Sequence, residues 1–121
     1  GPLIQYAYAR MQSIFRKLTE QQVAITDAYG SSLLPAEKEL IVWLSQYPTT
    51  IALAAETYSP AEIANYIYTL AKKFNSFYAD HPIAKAASVE KQNLRAAIAE
   101  RTAYVLRHGL QLLGIEVPEK M

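Results

Sequence analysis

Cysteine is absent from the 121 residues. Disulfides and thiolate metal sites are thereby excluded, and nothing argues for an oxidising compartment. Glycine is scarce: its four copies stand at positions 1, 30, 109 and 114, too scattered to form a phosphate-cradling loop. No apolar run approaches the roughly 20 residues needed to cross a bilayer. The start is polar and tyrosine-rich where a signal peptide would place a basic flank before an apolar stretch. A cytoplasmic protein without a membrane partner is expected. Neither sign of charge dominates, since 12 Lys and Arg face 11 Asp and Glu for a net charge of +1. A protein that holds nucleic acid mainly by its phosphates is usually far more basic. Internal repeats, low-complexity segments and strand-period alternation are also missing.

What is present is apolar and helical. Hydrophobic residues make up 51% of the chain, enough for one domain, 1–121, to bury a continuous core. Ile4, Tyr8, Met11, Phe15, Leu18 and Ile25 recur at alternating steps of four and three, with Gln22 filling the one gap, a single stripe on a long first helix that Gly30-Ser31-Ser32 stops. Pro35 suits the first turn of a second helix, with Glu37 and Glu39 near its positive end. Leu40, Trp43, Leu44 and Tyr47 form its inner face. Pro48 ends that helix and begins another, which contains Ile51, Leu53, Ala54 and Ala55. Ser59-Pro60-Ala61-Glu62 reads as a capping box with proline at the first helical position. From it run Ile63, Ile67, Leu70, Phe74 and Phe77 at helical spacing. Asp80-His81-Pro82 breaks this helix, and 81–87 is expected as a loop. Ser88 can cap a last long helix whose buried face is marked by Leu94, Ile98, Val105 and Leu112, joined by Leu106, Leu110 and Leu113. Gly114 is a suitable terminator, and Pro118 keeps the tail non-helical. The expected fold is all-α, a bundle of about five helices.

Reactive clusters are lacking. His81 and His108 lie in different segments with no carboxylate or cysteine at ligand spacing, so no metal site is expected; His108 reads as a last-turn residue facing the negative helix end. Glu37 with Glu39, and Glu90 with Glu100, are spaced wrongly for acid–base pairs on a helix. No catalytic residue and no cofactor is expected in this chain.

Three segments carry a resemblance. The first is Gln5-Tyr6-Ala7-Tyr8-Ala9-Arg10 with Ser13-Ile14 and Arg16-Lys17. The second runs from Pro60 to Tyr78, through Ala64-Asn65-Tyr66, Leu70-Ala71 and Phe74-Asn75-Ser76-Phe77-Tyr78. The third is Arg95, then Val105-Leu106, Gly109-Leu110, Leu112-Leu113-Gly114-Ile115, Pro118 and the final Met121. In this order they resemble the C-terminal, DALR-type anticodon-binding domain of arginyl-tRNA synthetases. Tyr8 stands where that family often has histidine, Ala96 where leucine is usual and Lys120 where arginine is usual. The resemblance implies an all-α domain appended to a Rossmann-type class I catalytic domain, whose H-x-G-H-like and K-M-S-K-S-like motifs are absent here. It implies a parent enzyme that joins arginine to its tRNA, with ATP and magnesium bound by the catalytic domain in cis. The implied partner is the anticodon loop of arginine tRNA, not DNA.

Tyr6, Arg10, Ser13 and Lys17 fall at steps of four, three and four, one stripe that could meet a looped RNA strand by stacking and phosphate contact. Alternatively, Tyr6 packs at a rim while the two cations are solvated. Asn75 offers a donor and an acceptor to a base edge, and Tyr78, on the same helix face and expected to be exposed, offers a stacking plate. Tyr78 matches the family position whose ring meets the anticodon. Tyr66 reads as packed, and Phe74 and Phe77 as core. Arg95 either pairs with a phosphate or locks an inter-helix carboxylate. Met121 reads as a frayed end by general rules, whereas family tails fold back on the anticodon loop. Every arginine anticodon has cytosine at its middle position, so a reader of this tRNA needs partners for a cytosine edge, including an acceptor for its amino group. Two other readings fit the composition: a protein-interaction module with a Tyr-rich groove, and a bundle with an apolar pocket among Phe74, Phe77, Trp43 and Leu106.

Overall fold

The computed structural model describes Ala9, Arg10 and Gln12, residues 33–83 and residues 88–114. Four helices follow one another there: α1 (Pro35–Ser45), α2 (Tyr47–Glu56), α3 (Pro60–Asp80) and α4 (Val89–Leu112). Ala9, Arg10 and Gln12 are also helical, and no strand occurs among the described residues. Each proline expected at a helix start is there: Pro35 and Pro60 open α1 and α3, and Pro48 lies in the first turn of α2. At these positions a missing N–H costs nothing, because the first-turn donors have no partner within the helix.

α3 touches all three other helices and supplies the centre of the core. Ile63, Ile67, Leu70, Phe74 and Phe77 are all buried, as their spacing predicts, together with Tyr66 and Ala71. α4 runs antiparallel to α3, since a Cβ on Gly109, near the end of α4, would meet Ile67 Cγ2 at 2.7 Å and Ile63 Cγ2 at 3.5 Å. Glycine is therefore what lets the two backbones approach. The buried arc of α4 is wider than its leucines alone indicate, because Ala96, Ala99, Thr102, Ala103 and Gly109 are buried with Leu94, Ile98, Val105, Leu106 and Leu110. Leu112 departs from expectation: it is 51% exposed. Ile83 in the loop is fully buried, although its setting after His81-Pro82 gave no sign of it.

An aromatic cluster joins the α1–α2 corner to α3 and α4. Tyr66 stacks on Trp43 with centroids 5.0 Å apart and packs against Tyr47 at 5.3 Å, and its hydroxyl donates to the Trp43 carbonyl. Burial pushes the Tyr66 phenol above its usual range, with Tyr47 adding to the shift. The Tyr47 hydroxyl lies 2.7 Å from His108 Nδ1, so His108 is held by a tyrosine; that contact, not the helix-end field, is its evident role. Phe74, Phe77 and Leu106 fill the core at 0–3% exposure and Trp43 packs against it, where the composition also allowed an apolar pocket among them.

The helix ends correct one expectation and support two. Ser59 is the N-cap of α3, yet its side chain makes no capping hydrogen bond. Ser88 does cap α4, accepting from the Lys91 N–H at 3.1 Å. Gly114 follows the end of α4 with φ +77°, the left-handed conformation that glycine adopts without strain. The expected outcome of Ser88→Ala is a loss of about 1 kcal/mol in urea unfolding, while Ser59→Ala is expected to fall within about 0.5 kcal/mol of the parent. Gly109→Ala should cost about 1–3 kcal/mol by overpacking against the fully buried Ile67. An unchanged denaturation midpoint for Gly109→Ala would mean that α4 does not lie as close to α3 as described.

Candidate nucleic-acid interface

Three of the residues singled out in the sequence meet at the C-terminal end of α3. Arg10 Nη1 donates to Asn75 Oδ1 at 3.3 Å, and its guanidinium carbon lies 5.4 Å from the centre of the Tyr78 ring. They share this place because Asn75 and Tyr78 are three apart on the helix and so face the same way. Neighbouring Ala9 is 4% exposed, which sets the segment bearing Arg10 against the bundle.

The geometry decides how each group presents itself. An arginine only donates, so the Asn75 amide oxygen must point at Arg10. Its NH2 is left with no hydrogen-bond partner among the described residues, a double donor held in one orientation. The Tyr78 ring is half-buried and lies nearly parallel to Phe74 with centroids 6.3 Å apart. This corrects the expectation of an exposed ring without structural duties: Tyr78 also packs on the core. A guanidinium, a primary amide and a phenol thus converge at the last two turns of α3. The terminal carbonyls of any helix lack intrahelical partners, and here the His81 N–H takes that of Phe77 at 2.8 Å. Cation, donor amide, ring and helix-terminal carbonyls together suit a base edge and its phosphate.

Arg95 is placed elsewhere. It is 9% exposed, and its Nε donates to Glu37 Oε2 at 3.0 Å. Of the two readings of this arginine, the inter-helix carboxylate is the one the structure shows. Glu37 is the residue that sequence reasoning missed. Fully buried, it accepts from Arg95, from Lys91 Nζ at 2.6 Å and from its own helix's Leu34 N–H at 2.8 Å. The only signal available was its position as the third residue of α1, where a glutamate reaches back to the cap N–H. Burial by itself would raise the Glu37 carboxyl, but the bonds from Lys91, Leu34 and Arg95 outweigh it and hold the group below its usual value. Tyr6, Lys17 and Met121 lie outside the described residues. Among the described residues, no group of three His, Asp or Glu side chains could hold a metal ion, and no helix is long and apolar enough to cross a membrane.

Fold and site together define an all-α domain that offers a cation, an amide and an aromatic ring at one helix end. The family model of the DALR anticodon binding domain matches residues 4–121, and the chain belongs to that family. It is 41% identical over its whole length to the arginine–tRNA ligase of Parabacteroides distasonis and 45% identical to that of Flavobacterium psychrophilum. It spans only 21% and 20% of those relatives. Among solved structures, the Thermus thermophilus arginyl-tRNA synthetase superposes with a TM-score of 0.84 at 30% identity, over all of this chain and 21% of that one. A putative arginyl-tRNA synthetase from Campylobacter jejuni gives a TM-score of 0.84 at 25% identity, over 98% of this chain and 26% of its own.

The buried carboxylate makes stability depend on pH in a definite direction. Because the folded Glu37 pKa lies below the unfolded value of about 4.3, its contribution is complete above that value and is lost as pH falls through the folded pKa. Glu37→Gln should cost roughly 3 kcal/mol at pH 7, since it leaves the buried Arg95 without its counter-charge. The same substitution should flatten the acid limb of a plot of unfolding free energy against pH. An acid limb identical to the parent's would assign that pH dependence to other groups.

Proposed function

We propose that this domain reads the anticodon loop of arginine tRNA on behalf of a larger class I enzyme, which joins arginine to that tRNA using ATP. The observation that carries the reading is the convergence of Arg10, Asn75 and Tyr78 at one end of α3. Cytosine stands in the middle of every arginine anticodon. Its O2 and N3 are acceptors that a fixed asparagine NH2 can satisfy, and its amino group needs an acceptor such as a free helix-terminal carbonyl. Tyr78 offers the flank of its ring for stacking, and Arg10 offers charge to the adjoining phosphate. Tyr6, Lys17 and Met121 are proposed to extend this surface.

The names of the relatives support the assignment to arginine, and the small share of their length that this chain spans leaves room for a catalytic domain in cis. ATP, with its magnesium, is assigned to that domain and arginine activation with it, and the whole is placed in the cytoplasm. Anticodon identity would then reach the distant reaction as a coupling free energy between two binding events. RNA, not DNA, is the proposed partner, because an unpaired, splayed base is what such a cluster can enclose.

The test compares variants of the 121-residue chain for binding to arginine tRNA and to the same tRNA with an altered anticodon. Tyr78→Ala should lose about 1–3 kcal/mol toward the cognate RNA, and Tyr78→Phe should keep most of it. Lys17→Ala should weaken both RNAs alike and lower the salt slope by about one unit. Circular dichroism must show each variant folded, since Tyr78 also packs on Phe74. If folded Tyr78→Ala binds the cognate tRNA as tightly as the parent, Tyr78 is not a reader of the anticodon.

A further inference from the structure

A second set of cations lies on the outer side of α4, away from the anticodon cluster. Arg101, Tyr104 and Arg107 are spaced three apart and exposed, which places them along one row of the helix surface. The Arg101 guanidinium carbon lies 4.9 Å from the Tyr104 ring centre. His108 also stacks on that ring at 5.8 Å with an interplanar angle of 16°. His108 is in turn held by the Tyr47 hydroxyl at 2.7 Å, and Tyr47 is 4% exposed. The chain of contacts therefore runs from the core to the surface: a buried tyrosine fixes a histidine, the histidine backs an exposed ring, and the ring carries an arginine.

Two features set this row apart from an ordinary solvated face. Surface arginines on helices commonly pair with a carboxylate three or four positions away. Here neither Arg101 nor Arg107 takes part in any ion pair among the described residues. Glu100 is the single acid from position 100 to the end of α4, and it is exposed. In addition, a guanidinium lying over an aromatic ring keeps its charge and its N–H edge while losing rotational freedom, the condition for two-pronged contact with a phosphate. Tyr104 remains 53% exposed even with both neighbours in place.

We propose that Arg101 and Arg107 form a second RNA contact, binding the ribose–phosphate backbone of the tRNA whose anticodon loop meets Arg10, Asn75 and Tyr78. The proposal rests on the tRNA reading above and adds a site to it. Tyr66 is tied to the α1–α2 corner that also holds His108, and Asn75 lies nine residues further along α3. At 1.5 Å per residue Asn75 stands about 14 Å along α3 from the level of that corner. The new site lies toward the end where α4 finishes, opposite the end where α3 finishes. Its role is affinity without sequence preference, which the anticodon cluster supplies.

The experiment measures binding of the 121-residue chain to arginine tRNA and to its anticodon-altered form, each at two salt concentrations. The double variant Arg101→Gln with Arg107→Gln should weaken both RNAs by the same factor, about tenfold at the lower salt, and reduce the salt slope by about one unit per arginine. The ratio between cognate and altered RNA should not change. Arg101→Lys keeps the charge but loses the planar contact with Tyr104, and should fall between parent and Arg101→Gln. Arg107→Gln alone provides the reading if the double variant does not fold. A parent that discriminates the cognate anticodon, with variants that match it in affinity and salt slope, overturns the second contact and leaves the anticodon reading standing. A parent that binds both RNAs equally, with a reduced slope in the variants, overturns the anticodon reading and keeps the backbone contact. A parent that binds neither RNA overturns both.

Discussion

A carboxylate sealed from water survives as an anion only if donors surround it, and Glu37 has three. They come from the start of its own helix and from two side chains of α4, at 2.6–3.0 Å. Losing one of the two cations would weaken that compensation, and breaking a buried pair costs about 3–5 kcal/mol. The carboxylate therefore fixes where α1 lies along α4, and α3 packs against both. At the other end of the bundle the Gly109 backbone lies against Ile67, and Tyr47 reaches His108. With α4 tied at both ends, α3 is held along its length. The last two turns of α3, where Asn75 and Tyr78 stand, are presented from a rigid support.

That support matters because reading a base is a problem of orientation more than of attraction. Asn75 can place its amide either way round in isolation, and only one orientation offers donors outward. Arg10 removes the ambiguity by requiring the oxygen for itself. Tyr78 is limited in the same manner, by its packing on Phe74 and by the Arg10 guanidinium 5.4 Å from its centre. Groups immobilised before a ligand arrives lose less entropy when it binds. The half-burial of Tyr78, unexpected from its place on the helix, is consistent with such preorganisation.

Much of the fold was legible because helical spacing records which side of a helix faces a neighbour. The stripe from Ile63 to Phe77 and the prolines at three helix starts were readable for that reason, as was Gly114. The departures share one cause: local pattern carries no record of what stands opposite. Leu112 continues the apolar spacing of α4, yet half of it is open to solvent. Ser59 occupies the N-cap with φ −121° and ψ 95°, while its hydrogen bond depends on a side-chain rotamer that the sequence does not encode. Glu37 obeyed the rule for acids in a first turn, yet its deciding partners lie 54 and 58 residues away. Asn75 and Tyr78 were legible as a pair three apart. That Arg10 closes over them, 65 residues distant from Asn75, follows from tertiary structure alone.

The near-neutral composition also takes on a different meaning once partners are known. A net charge of +1 argues against RNA binding only if acids and bases mix evenly over the surface. Here the fully buried Glu37 engages Lys91 and Arg95, and Glu39 engages Lys73. Other cations lie on aromatic rings: Arg10 on Tyr78, Lys72 on Tyr68 and Arg101 on Tyr104. A ring attracts a cation by its quadrupole, worth about 0.5–1 kcal/mol at an exposed site, and neutralises nothing. A carboxylate partner offsets a cation's charge toward phosphate, whereas a ring steadies the cation and leaves its charge in place. Part of the excess of tyrosine is explained in this way, as the means by which a domain with almost no net charge can hold cations at chosen places.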